Sequence, residues 1–428
     1  METEAQIENI VEAVRRHHEL YKNALPMIAS ENITSNRVRM LLASDLSHRY
    51  AEGEVGNRFY QGCKYIDVIE EKAIEYAKEL FEAEHVNVKP TSGVNANIAA
   101  LFALTSPGEG IMALSVPNGG HISHSRFSVP AIRNLTLKTF PYNAREMNIE
   151  VEEMVKEIKL NKPSLLLFGG SVFLFPHPIA EAREAADDVG ANIVYDASHV
   201  LGLIAGKKFQ DPLREGADVV TSSTHKTFPG PQGAIILCRK SLKEKIDSAV
   251  FPGTVSNHHL HHVAGLAVSL VEMMHFGEAY ATQITRNAKL LAQALYEKGF
   301  DVLCEHKGFT ESHQIAINVL SYGGGAAVAE KLEKANIIIN KNLLPSDKDP
   351  ENPAGIRIGV QELTRLGMRE SEMIEIASLL ERAVIGAEDE NRIKEEVIEL
   401  RTGFQHVHYC PDGGDAYAFP EIKTGRYL

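Results

Sequence analysis

Seven short β-type runs recur between residues 85 and 240, at 86–88, 111–114, 135–140, 164–168, 192–195, 218–221 and 234–238. Most are separated by helix-like or polar stretches. This alternation limits the possible folds more than any other feature of the chain. Strands joined by helical crossovers pair in parallel, and the helices cover both faces of the sheet. The spacing predicts an α/β body around a mainly parallel seven-stranded sheet. Ligands in such sheets bind beyond the carboxyl ends of the strands, so the residues just after each run are the first candidates for chemistry.

The rest of the chain divides around that body. We expect an N-terminal helical arm at 1–30, a large α/β domain at 31–262 and a connecting helix at 263–298. A smaller α+β domain follows at 299–402, with strand-like runs at 313–320, 336–340 and 355–359 and a last clear helix at 370–388. The 403–428 tail is rich in Gly, Tyr, Phe and His, and its docking is left open. The 428 residues suffice for such a division. A net charge of −13 argues against a nucleic-acid partner. Cys63, Cys238, Cys304 and Cys410 are far apart, which suits a reducing compartment. No apolar run approaches the roughly 18–20 residues of a membrane helix, and the charged N-terminus is no signal peptide. A cytoplasmic protein without membrane contact is expected.

Two strand ends carry the strongest chemical signal. Val-Tyr-Asp-Ala-Ser-His (194–199) ends one run, and Thr-Ser-Ser-Thr-His-Lys-Thr (221–227) ends the next. A carboxylate at one strand end and a lysine at a later one is the layout pyridoxal phosphate chemistry needs. Lys226 would form the Schiff base, and Asp196 would keep the pyridine nitrogen protonated so that the ring acts as an electron sink. Thr91-Ser92-Gly93-Val94-Asn95-Ala96-Asn97 opens a helix, where backbone N–H groups and the helix dipole suit a phosphate. His121, after Gly119-Gly120, is a candidate to stack on the ring. Arg357, in Gly-Ile-Arg-Ile-Gly (355–359), suits the carboxylate of an amino acid. Arg49-Tyr50-Ala51-Glu52-Gly53 and Arg58-Phe59-Tyr60-Gln61-Gly62 form a polar loop of functional composition. His258 and His262 have a metal-compatible spacing but no nearby acid, and no metal is expected.

In this order and spacing the motifs resemble the serine hydroxymethyltransferase family, from about Leu25 to about Leu380. Ile28-Ala29-Ser30-Glu31-Asn32, Tyr60-Gln61-Gly62-Cys63, Asp196-Ala197-Ser198-His199, Thr224-His225-Lys226-Thr227, Val250-Phe251-Pro252-Gly253 and Asn340-Lys341-Asn342 carry the likeness with those above. The resemblance implies fold type I of the pyridoxal phosphate transferases, the aspartate aminotransferase-like fold. It also implies a homodimer with shared active sites and conversion of serine to glycine with transfer of the hydroxymethyl carbon to a reduced pterin. Lys226, Glu52, His225, Tyr60 and Thr224 would be catalytic. Asp196, His199, His121, Ser92, Gly93, Tyr50 and Ser171 would hold the cofactor, with His199 on its phenolic oxygen. Ser30 and Arg357, with Glu52 and Tyr60, would bind the substrate. Gly120, His121, Ile122 and Asn342 would meet the pterin. Tyr50, Glu52 and Tyr60 would come from the neighbouring subunit.

The chain departs from the bacterial and eukaryotic pattern at Val94 (for Ser), Gln232 (for Arg), Phe59 (for Tyr) and Thr254-Val255-Ser256-Asn257 (for a glycine-rich turn). These differences resemble the archaeal branch, which implies tetrahydromethanopterin or a related pterin as carrier in place of tetrahydrofolate, and the choice between the two is left open. The runner-up activity is a threonine aldolase sharing Lys226, Asp196 and Arg357. A catalytically inactive scaffold that binds pyridoxal phosphate is the alternative of another class.

Overall fold

The computed structural model describes residues 2–418 apart from 346, 348 and 350. The seven expected runs form one sheet: β1 (His85–Asn87), β2 (Gly110–Ala113), β3 (Thr136–Thr139), β4 (Leu165–Gly169), β5 (Asn192–Asp196), β6 (Val219–Ser223) and β7 (Ala234–Cys238). Their spatial order is β1-β7-β6-β5-β4-β2-β3. All adjacent pairs are parallel except those of β7, which runs against both β6 and β1. Chain length explains the reversal. Only residues 224–233 join β6 to β7, and a parallel crossover needs about a dozen residues or more.

The strands are buried on both faces, and the side chains divide by the two-residue period. Leu166, Phe168, Ile193, Tyr195 and Val220 enter the larger core, while Leu165, Leu167, Val194 and Val219 enter a second core on the opposite face. Burying each such side chain contributes roughly 1.5–3 kcal/mol, so the strand register is strongly specified. The parallel strands therefore point their carboxyl ends the same way, and the loops there share one rim.

Six helices among the described residues have at least 12 residues: α1 (Glu2–Lys22), α2 (Lys64–Phe81), α3 (Gly93–Leu104), α4 (Leu260–Glu297), α5 (Glu370–Val384) and α6 (Glu390–Thr402). The long α4 packs on α2 of the main body and on α5 of the C-terminal part. The smaller sheet is antiparallel: β8 (Asp301–Val302), β9 (Gln314–Asn318), β10 (Asn340–Asn342) and β11 (Gly355–Gly359), in the order β8-β9-β11-β10. Leu25–Pro26 pairs in parallel with Ile337–Ile338, which ties the N-terminal segment to the C-terminal part.

Two expectations about the C-terminal part are corrected. The helix expected to reach 388 stops at Val384, where Gly386 and a left-handed Ala387 (φ 49°) end it. A further helix, α6, lies beyond it. Its buried stripe is only Ile393, Val397 and Arg401, too narrow to stand out as an amphipathic period. The tail folds against the body as far as residue 418, and the end of the 403–428 segment lies outside the described residues. No helix among the described residues is long and apolar enough to cross a membrane.

Candidate active site

The carboxyl ends of β1, β2, β4, β5 and β6 converge on a cavity of about 300 Å³. Ser92, Gly93, Asn97, His121, Asp196, Ser198, His199 and Lys226 are in its wall. Each lies at the end of a strand or in the loop or helix start that follows one, as parallel topology dictates.

Asp196 ends β5 and is buried. Its carboxylate accepts hydrogen bonds from Asn97 Nδ2 at 2.8 Å and from the Ser198 N–H at 3.0 Å, and His124 Nε2 lies 3.0 Å away. Burial alone would raise this carboxyl. The hydrogen bond and charge of His124, with His121 and Asn97, offset burial and hold the group well below the usual carboxylate range. Asn97 is itself fixed by Thr221, whose hydroxyl donates to its Oδ1 at 2.6 Å.

Lys226 follows β6, with 9 % of its surface exposed. Burial lowers its amine to about 8; Asp196 opposes the shift and Arg357 adds to it. Its carbonyl accepts from Asn32 Nδ2 at 2.6 Å. Thr224 is buried, and its hydroxyl donates to the Pro231 carbonyl at 2.8 Å, fixing the turn that presents the lysine. His225 is pushed down to about 4 by burial and by Lys226, and its Nδ1 has no partner among the described residues.

His121 caps a short 3-10 turn, with Nδ1 2.7 Å from Ser123 Oγ, and burial lowers it to about 4. His199 is buried with its ring stacked on His313, centroids 5.7 Å apart. Gln314 Nε2 lies 2.8 Å from His199 Nδ1 and donates to the Ser171 carbonyl at 3.0 Å. Arg357, on β11, donates to the same carbonyl at 2.6 Å and to Asn340 Oδ1 at 3.2–3.3 Å. No carboxylate pairs with Arg357 among the described residues, and burial lowers it to about 10. A buried guanidinium without a counter-charge is costly to maintain and is poised for an external anion.

The residues fit pyridoxal phosphate. A carboxylate held ionised matches a cationic pyridine nitrogen. Ser92 caps α3, accepting from the Asn95 N–H, and the helix start offers its N–H groups to a phosphate. A Cβ on Gly93 would lie 3.2 Å from Ser198 Oγ and 3.3 Å from Ser223 Cβ, so any larger residue would have to push these side chains back by a few tenths of an ångström. Ser223 Oγ is buried beside it without a partner among the described residues.

Other expected residues fall elsewhere. Ser30 is in the same wall and also faces an adjoining cavity of about 630 Å³. Ser171 contributes its carbonyl to Arg357 and Gln314. Gly120 is buried against Leu114 and Ser115, and Ile122 is exposed beside it. Asn342 lies on the edge strand β10. Tyr50, Glu52 and Tyr60 are outside this chain's own Lys226 cavity. Tyr50 and Tyr60 are exposed with rings 5.4 Å apart, and Phe59 is 72 % exposed. The loop itself is rigidly held. Arg58 donates to the carbonyls of Ala51 at 2.8 Å and Gly53 at 2.9 Å, on either side of Glu52, and pairs with Asp67 and Glu70. His258 Nε2 lies 2.9 Å from that buried Glu70, and Asn257 bonds Ala51 and Arg49.

Asn97, His124, Gln314 and Asn32 escaped the sequence reading. Asn97 had a signal, as a polar residue among the inward alanines of α3. Gln314 likewise interrupts an apolar strand.

The model of the family described as "Serine hydroxymethyltransferase" matches residues 3–380. Proteins named serine hydroxymethyltransferase are similar over nearly the whole length. That of Methanocella arvoryzae is 59 % identical over 96 % of this chain and 98 % of its own. That of Methanopyrus kandleri is 57 % identical over 97 % and 98 %. That of Archaeoglobus fulgidus is 54 % identical over 97 % and 95 %.

Proposed function

Because the chain belongs to the serine hydroxymethyltransferase family, we propose that the cavity around Lys226 is where it interconverts serine and glycine, with a reduced pterin taking the hydroxymethyl carbon. One juxtaposition carries this reading: a buried lysine whose amine is lowered to about 8, close to a buried guanidinium that pairs with no carboxylate among the described residues.

Lys226 is the covalent anchor for pyridoxal phosphate. Asp196 would face the ring nitrogen, His121 the ring's flat side and His199 the phenolic oxygen. Ser92 and Gly93 would serve the phosphate, with Tyr50 of a second copy, and Ser171 would be a further cofactor contact. Pyridoxal phosphate bound there supplies an electron sink for the pair left on Cα when the hydroxymethyl carbon departs. The Asp196 carboxylate, kept ionised by His124 and Asn97, holds positive charge at that sink. Arg357 and Ser30 orient the serine carboxylate, which fixes the bond that breaks. Glu52 takes the proton of the serine hydroxyl, with Tyr60 beside it. Thr224 and His225 set the turn that aims Lys226.

Support for a shared site in a homodimer comes from the loop of Tyr50, Phe59 and Tyr60, which displays aromatic side chains to solvent while Arg58 holds its backbone. Gly120, His121, Ile122 and Asn342 are the proposed pterin contacts, and the four unpaired cysteines accord with a cytoplasmic setting.

The test is glycine formation from serine, assayed side by side with tetrahydrofolate and tetrahydromethanopterin, with Lys226→Ala as control. Glycine formation should depend strongly on one of the two pterins. Lys226→Ala should abolish it, together with the cofactor's absorbance that borohydride fixes to the protein. Equal cleavage without pterin would favour the aldolase reading. A fixed cofactor band in Lys226→Ala would overturn the central assignment.

A further inference from the structure

The family match ends at residue 380, yet the chain returns to the substrate site beyond it. Val407 and Ala416 are buried in one cluster with Leu366 and with Ile33, three positions from Ser30. The segment folds back on itself: Val407 N–H donates to the Gly414 carbonyl at 2.9 Å and Ala416 N–H to that of Gln405 at 2.8 Å. Arg37 pairs with Asp412, and Arg39 donates to the carbonyls of Asp415 and Ala416.

Two paths lead from this segment to Ser30. Tyr417 donates its hydroxyl to Glu362 Oε1 at 2.6 Å. The adjacent Gln361 donates through Nε2 to the carbonyls of Ile28 at 2.8 Å and Glu31 at 2.6 Å, on either side of Ser30. The ring of Tyr409 packs on Tyr280 with centroids 5.1 Å apart. Tyr280 donates to the Gln361 carbonyl at 2.8 Å and accepts from Asn32 at 2.9 Å, and Asn32 reaches the Lys226 carbonyl. Ser30 itself lies in irregular chain between Pro26 and Asn36, so side-chain bonds to its neighbours set its place.

We propose that residues 404–417 form a brace for the 28–33 substrate loop, with Tyr417 and Glu362 as positioning residues that fix Ser30 for the carboxylate of serine. The proposal rests on the reading of Ser30 and Arg357 above. Tyr417 and Glu362 also wall the larger cavity that shares Ser30 and His225 with the Lys226 site. Loss of the Tyr417 hydroxyl leaves a buried Glu362 oxygen without its donor and loosens the turn that carries Gln361.

The experiment compares the full-length holoenzyme with Tyr417→Phe, Glu362→Gln and Ser30→Ala. It reads KM for serine, kcat, melting temperature, and amide hydrogen exchange of residues 27–34. Tyr417→Phe should raise KM about fivefold, the worth of one hydrogen bond. It should leave kcat and melting nearly unchanged and speed exchange in 27–34. Glu362→Gln keeps an acceptor for Tyr417 and should restore KM. Ser30→Ala should raise KM without changing exchange. Unchanged KM and exchange in Tyr417→Phe, with KM raised in Ser30→Ala, would overturn the brace and leave the site reading intact. Unchanged KM in Ser30→Ala would overturn the site reading instead. If Tyr417→Phe does not fold, Gln361→Met removes only the two donors to the loop and carries the same expectation.

Discussion

The lowered amine of Lys226 comes from burial more than from any neighbouring charge. Its amine stands near 8 because water is excluded and Arg357 is close, although Asp196 pulls the other way. The neutral amine therefore accumulates as pH rises through about 8. Uptake of pyridoxal phosphate by the apoprotein, followed by absorbance, should accelerate over that window and level above it. An unfolded lysine keeps its proton up to its ordinary value of 10.5. Between about 8 and 10.5 the unfolded chain binds more protons, so this group adds apoprotein stability as pH rises. Asp196 and Lys226 were legible in the sequence because each ends a β-type run. Their supports were not. His124 is distant from Asp196 in the chain, and only the packing of the β2 loop against β5 brings their side chains within 3.0 Å.

At the scale of elements, α3 starts in the wall of the Lys226 cavity, with Ser92 and Gly93 at its N-terminal end. Val94 stands in its first turn and is 36 % exposed toward the cavity. It offers no hydroxyl to a phosphate. Val94→Ser should tighten pyridoxal phosphate binding about tenfold or more, since a hydrogen bond to a charged group contributes roughly 1.5–3 kcal/mol; equilibrium dialysis of the cofactor checks this. Unchanged affinity would mean that the helix N–H groups already saturate the phosphate. Strand positions were readable because two-sided burial makes continuous apolar runs. The reversal of β7 follows from a linker too short to cross over, and α6 was hidden by its three-residue buried stripe.

For the whole molecule, the telling fact is that the Lys226 cavity and the loop of Glu52 are separate within one chain. Lys226 and Asp196 line one cavity, with Arg357 close enough to act on the lysine, while Glu52, Tyr50 and Tyr60 are on a loop outside that lining. Arg58 clamps both peptides around Glu52, so the loop is built to hold one shape without local substrate. If that loop serves a neighbouring copy, Lys226→Ala and Glu52→Gln should each be inactive alone. Mixed and reassembled, they should recover about a quarter of the native rate, since half the random dimers carry one intact site. No recovery on mixing, with mixed dimers verified by mass, would place Lys226 and Glu52 in the same subunit's site.

The sequence by itself determined the α/β class and the strand positions and picked out the candidates for chemistry, because periodicity and strand-end chemistry are local properties of the chain. Only the tertiary structure decided what surrounds them. The ionised state of Asp196, the uncompensated charge of Arg357 and the return of the 404–417 segment to Ser30 each depend on contacts between residues tens to hundreds of positions apart. Burial and electrostatics act through space, and no window along the chain contains them.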